Sequence, residues 1–149
     1  MKSFILFMCS LVCANALDQA LIDEKKAMVM EYGLECVESE KATTEDIIAM
    51  KEHKPPVTHE GRCVIFCVSK KLNMMNDDGT ISPAPPKTEW LDKVKVNDPE
   101  VFGNMEKVHQ ACVGVEHKGD GCDTAYEFVN CMKTESQKYG IDKLFSSSQ

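Results

Sequence analysis

Gly61-Arg62-Cys63-Val64-Ile65-Phe66-Cys67-Val68-Ser69-Lys70-Lys71-Leu72-Asn73-Met74-Met75-Asn76-Asp77-Asp78-Gly79-Thr80-Ile81-Ser82 sets two cysteines four residues apart ahead of a polar turn. On a helix that interval puts both sulfurs on one face, about one turn apart. Val64, Cys67, Val68 and Leu72 recur at helical intervals, which predicts a helix over about 60–72 with this face buried. Two thiols on such a face form a disulfide anchor, a metal site or a redox pair, and the compartment decides among them. Asn76-Asp77-Asp78-Gly79 reads as a turn. An EF-hand is excluded: with Gly79 sixth in the loop, the first and twelfth positions are Met74 and Pro85, and neither supplies a carboxylate.

The start of the chain addresses the compartment. Lys2, the apolar run Phe4-Ile5-Leu6-Phe7-Met8-Cys9-Ser10-Leu11-Val12-Cys13 and the small-x-small Ala14-Asn15-Ala16 have the three-part layout of a secretory signal peptide. The run is shorter than the roughly 20 apolar residues a bilayer crossing takes. Cleavage after Ala16 leaves one domain over 17–149, of 133 residues, and shifts the net charge from -7 to -8. That length supports a full core or a core around a hole. A soluble acidic protein of this kind is expected to bind no nucleic acid and to make no stable membrane insertion.

Cleavage also removes Cys9 and Cys13, so eight cysteines become six: Cys36, Cys63, Cys67, Cys112, Cys122 and Cys131. An even number in an oxidising compartment predicts three disulfides, and spacing alone leaves all 15 pairings open. A zinc site from Cys63, Cys67, His109 and Cys112 is the competing reading; it requires a reducing compartment and strands the other three cysteines.

The rest of the chain reads as helices. Over 18–37, Leu17, Leu21, Met28, Tyr32 and Cys36 fall near one stripe, opposite Asp23, Glu24, Lys26 and Glu38. Thr43 or Thr44 caps a short helix that His53-Lys54-Pro55-Pro56 ends. Pro83-Ala84-Pro85-Pro86 is a stiff connector into a helix over 88–96 with Trp90, Leu91 and Val94. Asp98-Pro99-Glu100 is a strong helix start. It is followed by Val101, Phe102, Met105, Val108, Cys112 and Val115 on one face. Gly119-Asp120-Gly121 reads as a turn, and Asp123 as the cap of a last long helix bearing Ala125, Phe128, Val129 and Met132. Beyond Gly140, Ile141, Leu144 and Phe145 are expected to fold back over the interior, ahead of Ser146-Ser147-Ser148-Gln149. The class is all-α, and no strand pattern, repeat or domain boundary stands out.

No catalytic constellation emerges. The chain has no Gly-x-Ser-x-Gly elbow, no His-Glu-x-x-His and no phosphate-cradling glycine loop. His53, His59, His109 and His117 lack the His-Asp pair and calcium loop of a secreted phospholipase. His109, three residues before Cys112, reads as a core histidine, with a pH sensor as the sharper alternative. The seven methionines of the mature chain suit an irregular core or an adaptable binding wall.

The spacing Cys36-x26-Cys63-x3-Cys67-x44-Cys112-x9-Cys122-x8-Cys131 resembles the six-cysteine signature of the insect odorant-binding protein family, which includes pheromone-binding proteins. The x3 and x8 intervals are its strict parts. The run from Gly61 through Lys71-Leu72-Asn73-Met74 to the acidic turn at Gly79 is similar to the same region of moth pheromone-binding members. Where those members carry histidines after the turn glycine, this chain has Thr80-Ile81-Ser82.

The resemblance implies about six helices around a hydrophobic cavity, three disulfides (Cys36–Cys67, Cys63–Cys122 and Cys112–Cys131), no enzymatic activity and no cofactor or metal. It implies a secreted monomer or homodimer that carries small hydrophobic ligands such as odorants or pheromones, with an odorant receptor as a candidate partner. Ile65, Ser69, Met74, Met75, Ile81, Trp90 and Met132 match lining positions, with Ser69 orienting a ligand hydroxyl or carbonyl. Helical periodicity adds Met105 and Val108, and Val68, Phe128 and Phe145 complete the candidate wall. The alternative duty is that of a non-olfactory secreted effector or protein-interaction module on the same scaffold, in seminal fluid, saliva or venom.

Overall fold

The computed structural model of the protein describes residues 17–145. The signal-peptide expectation at 1–16 and the final serines lie outside that range. Among the described residues there are six α-helices: α1 (Gln19–Glu40), α2 (Thr44–Lys51), α3 (His59–Lys71), α4 (Glu89–Asn97), α5 (Pro99–Cys112) and α6 (Gly121–Lys138). A 3-10 turn (Asp142–Leu144) follows them. The one extended pairing among these residues is an isolated antiparallel bridge between Met75 and Ile81, which closes the acidic turn into a small hairpin.

Side-chain caps set the helix starts. Asp18, Thr43, Thr58, Thr88, Asp98 and Asp120 each accept a hydrogen bond from a backbone N–H of the first turn, satisfying donors that a helix leaves unpaired. Pro99 opens α5, where its missing N–H costs nothing. The cap of α6 is Asp120 and not Asp123: Asp120 accepts from the Asp123 N–H, and Asp123 lies in the first turn, where its carboxylate receives Arg62 at 2.7 Å. Gly121, read as turn, is the first residue of α6. A Cβ there would stand 2.5 Å from the Phe66 ring, so glycine lets α6 begin directly against α3. Val115 lies beyond the end of α5.

α3 is the centre of the array, packed on α6 and α1. α5 packs on α6 and α4, α1 also meets α4, and the 3-10 turn returns onto α6. Disulfides fasten these contacts. Cys36 bonds Cys67 (α1 to α3), Cys63 bonds Cys122 (α3 to α6) and Cys112 bonds Cys131 (α5 to α6), with Cα separations of 5.8, 4.4 and 5.8 Å. Cys63 and Cys67 thus reach different helices, which leaves no thiolates for the zinc alternative. The buried residues of α3 are Gly61, Val64 and Ser69; Cys67, Val68 and Leu72 are half-buried, so its inward face is turned relative to the expected stripe. With helices on two sides, α3 has no single apolar face to bury.

Asp46 joins α2 to α3. Its buried carboxylate accepts from the Val57 and Thr58 N–H groups (2.8 Å each), the Thr58 hydroxyl (2.6 Å), and the Thr43 N–H and hydroxyl (3.0 and 2.8 Å). Burial pushes its pKa up, but the bonds from Thr58 and Thr43 together outweigh that and hold it well below the usual carboxylate range. Gly61 leaves room for this knot, since a Cβ there would meet the Asp46 carboxylate at 2.5 Å and Pro56 at 2.7 Å. Gly61→Ala is expected to destabilise the fold by about 1–3 kcal/mol through forced displacement. Urea unfolding of the variant checks this, and a midpoint equal to that of the parent contradicts it.

Candidate functional site

One apolar cluster occupies the interior. Its fully buried part is Leu17, Leu21, Met75, Trp90, Leu91, Val94, Val108, Cys112, Ala125, Phe128, Met132, Ile141 and Leu144. Against it lie half-buried apolar side chains, among them Ile22, Met28, Ile65, Phe66, Met74, Ile81, Phe102, Met105 and Phe145. Every helix but α2 contributes, and the chain after Gly140 closes one side through Ile141, Leu144 and Phe145.

Most of the candidate wall meets here. Met75, Trp90, Val108, Phe128 and Met132 are in the buried part, and Ile65, Met74, Ile81, Met105 and Phe145 form part of the half-buried layer. Ser69 is fully buried but outside the apolar cluster, and Val68 is half-buried and also outside it. Met75 and Ile81 are brought face to face by the hairpin bridge. His109 secures that hairpin: its Nε2 lies 2.9 Å from the Ser82 carbonyl, which only accepts, so the proton is on Nε2. Its Nδ1 is buried without a hydrogen-bond partner, and its ring meets Phe128 edge-on at 5.8 Å.

Trp90 is fixed by its indole N–H, which donates to the Leu21 carbonyl at 2.7 Å in the buried interior. Above its ring lies Lys25, whose Nζ is 5.9 Å from the Trp90 centroid and 5.1 Å from that of Phe145. Burial pushes the Lys25 ammonium down to about 8. The sequence reading passed over Lys25, although it stands four residues after Leu21 and three before Met28, on the inward stripe of α1.

Among the described residues, two groups of potential metal ligands come close together. His59, Cys63 and Cys122 form one, but both cysteines are spent in a disulfide. His59, Asp120 and Asp123 form the other, where Asp120 caps α6 and Asp123 holds Arg62. Both sets are accounted for by structural roles. Among the described residues, no helix is long and apolar enough to cross a membrane.

The geometry has counterparts among known proteins. The model of the PBP/GOBP family matches residues 18–135. General odorant-binding protein 19d of Drosophila melanogaster is 27% identical over 142 residues, spanning 93% of this chain and 92% of the relative. General odorant-binding protein 28a of the same organism is 24% identical over 143 residues, covering 95% and 99%. Among solved structures, Drosophila melanogaster odorant-binding protein 28a superposes with a TM-score of 0.63 at 25% identity, covering 80% of this chain and 98% of its own. A Locusta migratoria odorant-binding protein shares the fold at a TM-score of 0.55 and 19% identity, over 85% and 92% of the two chains. By family match and by architecture, the chain belongs to the PBP/GOBP family of insect odorant-binding proteins.

Proposed function

We propose that the protein is a secreted extracellular carrier, released by cleavage after Ala16, that takes one small apolar ligand into its helical interior and shields it from water. The observation that supports this reading most is the half-buried apolar layer: Ile65, Met74, Ile81, Met105 and Phe145 lie directly on a fully buried core and keep part of their surface uncovered. A ligand that covers this surface gains about 25 cal/mol per Å² of apolar area, less the cost of ordering it. The methionines let such a wall adapt to the ligand's shape. On this reading the three disulfides hold the helices in place while the apolar layer takes up a ligand, with no reaction and no cofactor assigned to the chain. Family membership favours the same duty, with odorant-type volatiles as ligands.

The test is uptake of the fluorescent apolar probe N-phenyl-1-naphthylamine by the oxidised mature chain, followed by displacement with long-chain volatiles. The expected outcome is saturable uptake with a Kd on the order of micromolar and competitive displacement. Absence of saturable uptake sinks the reading.

A further inference from the structure

The inward stripe of α1 carries one charge at the place where three parts of the molecule converge. Leu21 and Met28, on either side of Lys25 along α1, both pack into the interior cluster. Trp90 comes from α4 and Phe145 from the end of the described chain, and the Lys25 ammonium stands over both rings. Trp90 cannot turn away, because its N–H is held by Leu21. A lysine on a helix surface ordinarily lays its stem on apolar neighbours and keeps its head in water. Here the two rings flank the head itself.

The nearby acids do not pair with it. Glu24, its neighbour on α1, is bonded to Lys93 at 2.7 Å, and Glu89 of α4 also points to Lys93 at 3.4 Å. The remaining charged groups on the packed elements are Asp23, Lys26, Glu31, Glu35, Glu38 and Glu40 on α1, with Asp18 as its cap, Asp92 and Lys95 on α4, and Asp142 and Lys143 on the 3-10 turn. Among the described residues none contributes a hydrogen bond or a counter-charge to Lys25; burial is the one cause acting on it. A half-buried cation among aromatic rings, with no anion, lacks a partner that a ligand can supply.

We propose that Lys25 is the head-group site of the interior pocket and selects apolar ligands that end in a carboxylate, the ammonium pairing with the carboxylate while the hydrocarbon chain lies along Trp90 and Phe145. This rests on the interior-pocket reading above and names the ligand class for it. A charge-assisted bond made away from bulk water is stronger than a neutral one, and it relieves the buried ammonium at the same time. An alcohol or hydrocarbon of equal length gains the apolar contacts alone.

The experiment displaces N-phenyl-1-naphthylamine from the mature oxidised chain with dodecanoic acid and with 1-dodecanol, for the parent, Lys25→Met and Lys25→Arg. At pH 7 the parent is expected to prefer the acid by about 10- to 100-fold. Lys25→Met should keep probe and alcohol affinity while its acid affinity falls to the alcohol level, and Lys25→Arg should restore the preference. Between pH 7 and pH 9.5 acid affinity should weaken in the parent as the lysine loses its proton, and stay level in Lys25→Arg, whose guanidinium remains charged. An unchanged acid-to-alcohol ratio in Lys25→Met overturns the assignment. Should that variant fail to fold, a flat pH profile for acid binding by the parent overturns it instead. Failure of the parent to take up the probe at all is the distinct result that removes the pocket itself.

Discussion

Asp46→Ala is expected to destabilise the protein by about 3–5 kcal/mol. The carboxylate accepts five hydrogen bonds, three of them from residues at the entrance to α3. Removing it leaves the Val57 and Thr58 N–H groups without their acceptor and loosens the caps of α2 and α3 together. Asp46→Asn should cost less, about 2–3 kcal/mol, because one amide oxygen still serves the Val57 and Thr58 N–H groups, while the NH2 faces the hydroxyls of Thr43 and Thr58 and leaves the Thr43 N–H without its acceptor.

The same carboxylate sets an acid limb. Its folded pKa lies below the unfolded value of 3.8, so its contribution is complete above that value and is lost as pH falls through the folded one. Chemical denaturation at a series of pH values should show the stability gap between the parent and Asp46→Asn narrowing as pH falls from about 5 to 2. A gap independent of pH contradicts the assignment.

Removal of the Cys63–Cys122 bridge by the paired substitution Cys63→Ser with Cys122→Ser should cost about 4 kcal/mol. It closes the longest of the three loops, 59 residues, against 31 for Cys36–Cys67 and 19 for Cys112–Cys131. Loop-closure entropy therefore predicts that the order of cost follows the order of loop length. The bridge also holds the central helix pair, where the Arg62–Asp123 ion pair spans the same seam at 2.7 Å. That pair is partly exposed and replaces little of the lost constraint. Thermal and urea unfolding of the three paired variants checks the ranking. A Cys63/Cys122 variant no less stable than the Cys112/Cys131 variant contradicts it.

How much of this was legible in the sequence depends on the range of the interaction. Helix starts at Thr43, Thr88 and Asp98 are local events, readable from a cap and the turn that follows. The start of α6 was misread by three residues because its deciding contact is distant: Gly121 is helical where its missing side chain admits Phe66 of α3. The knot at Asp46 was invisible for the same reason, since its partners Val57 and Thr58 lie eleven and twelve residues on, across a loop with two prolines. The six cysteines were countable, but their partners come from the packing of helices that spacing leaves open.

The candidate wall shows the same division. Periodicity located Met105, Val108 and Phe128, which lie on the inward sides of long helices. Val68 was singled out beside Cys67 and falls outside the cluster because α3 is rotated to serve two neighbours. Lys25 was missed because a lysine reads as solvated. Its position on the apolar stripe was available, but its setting depends on Phe145, which reaches it from the far end of the chain.

The most direct test of the carrier account is a crystal structure of the mature chain with 12-bromododecanoic acid, located by bromine anomalous scattering. The account predicts one bromine site inside the helical array, within the apolar cluster that includes Met105 and Phe128. Bromine found only on the outer surface, at a ligand concentration that saturates displacement of the apolar probe in solution, contradicts it.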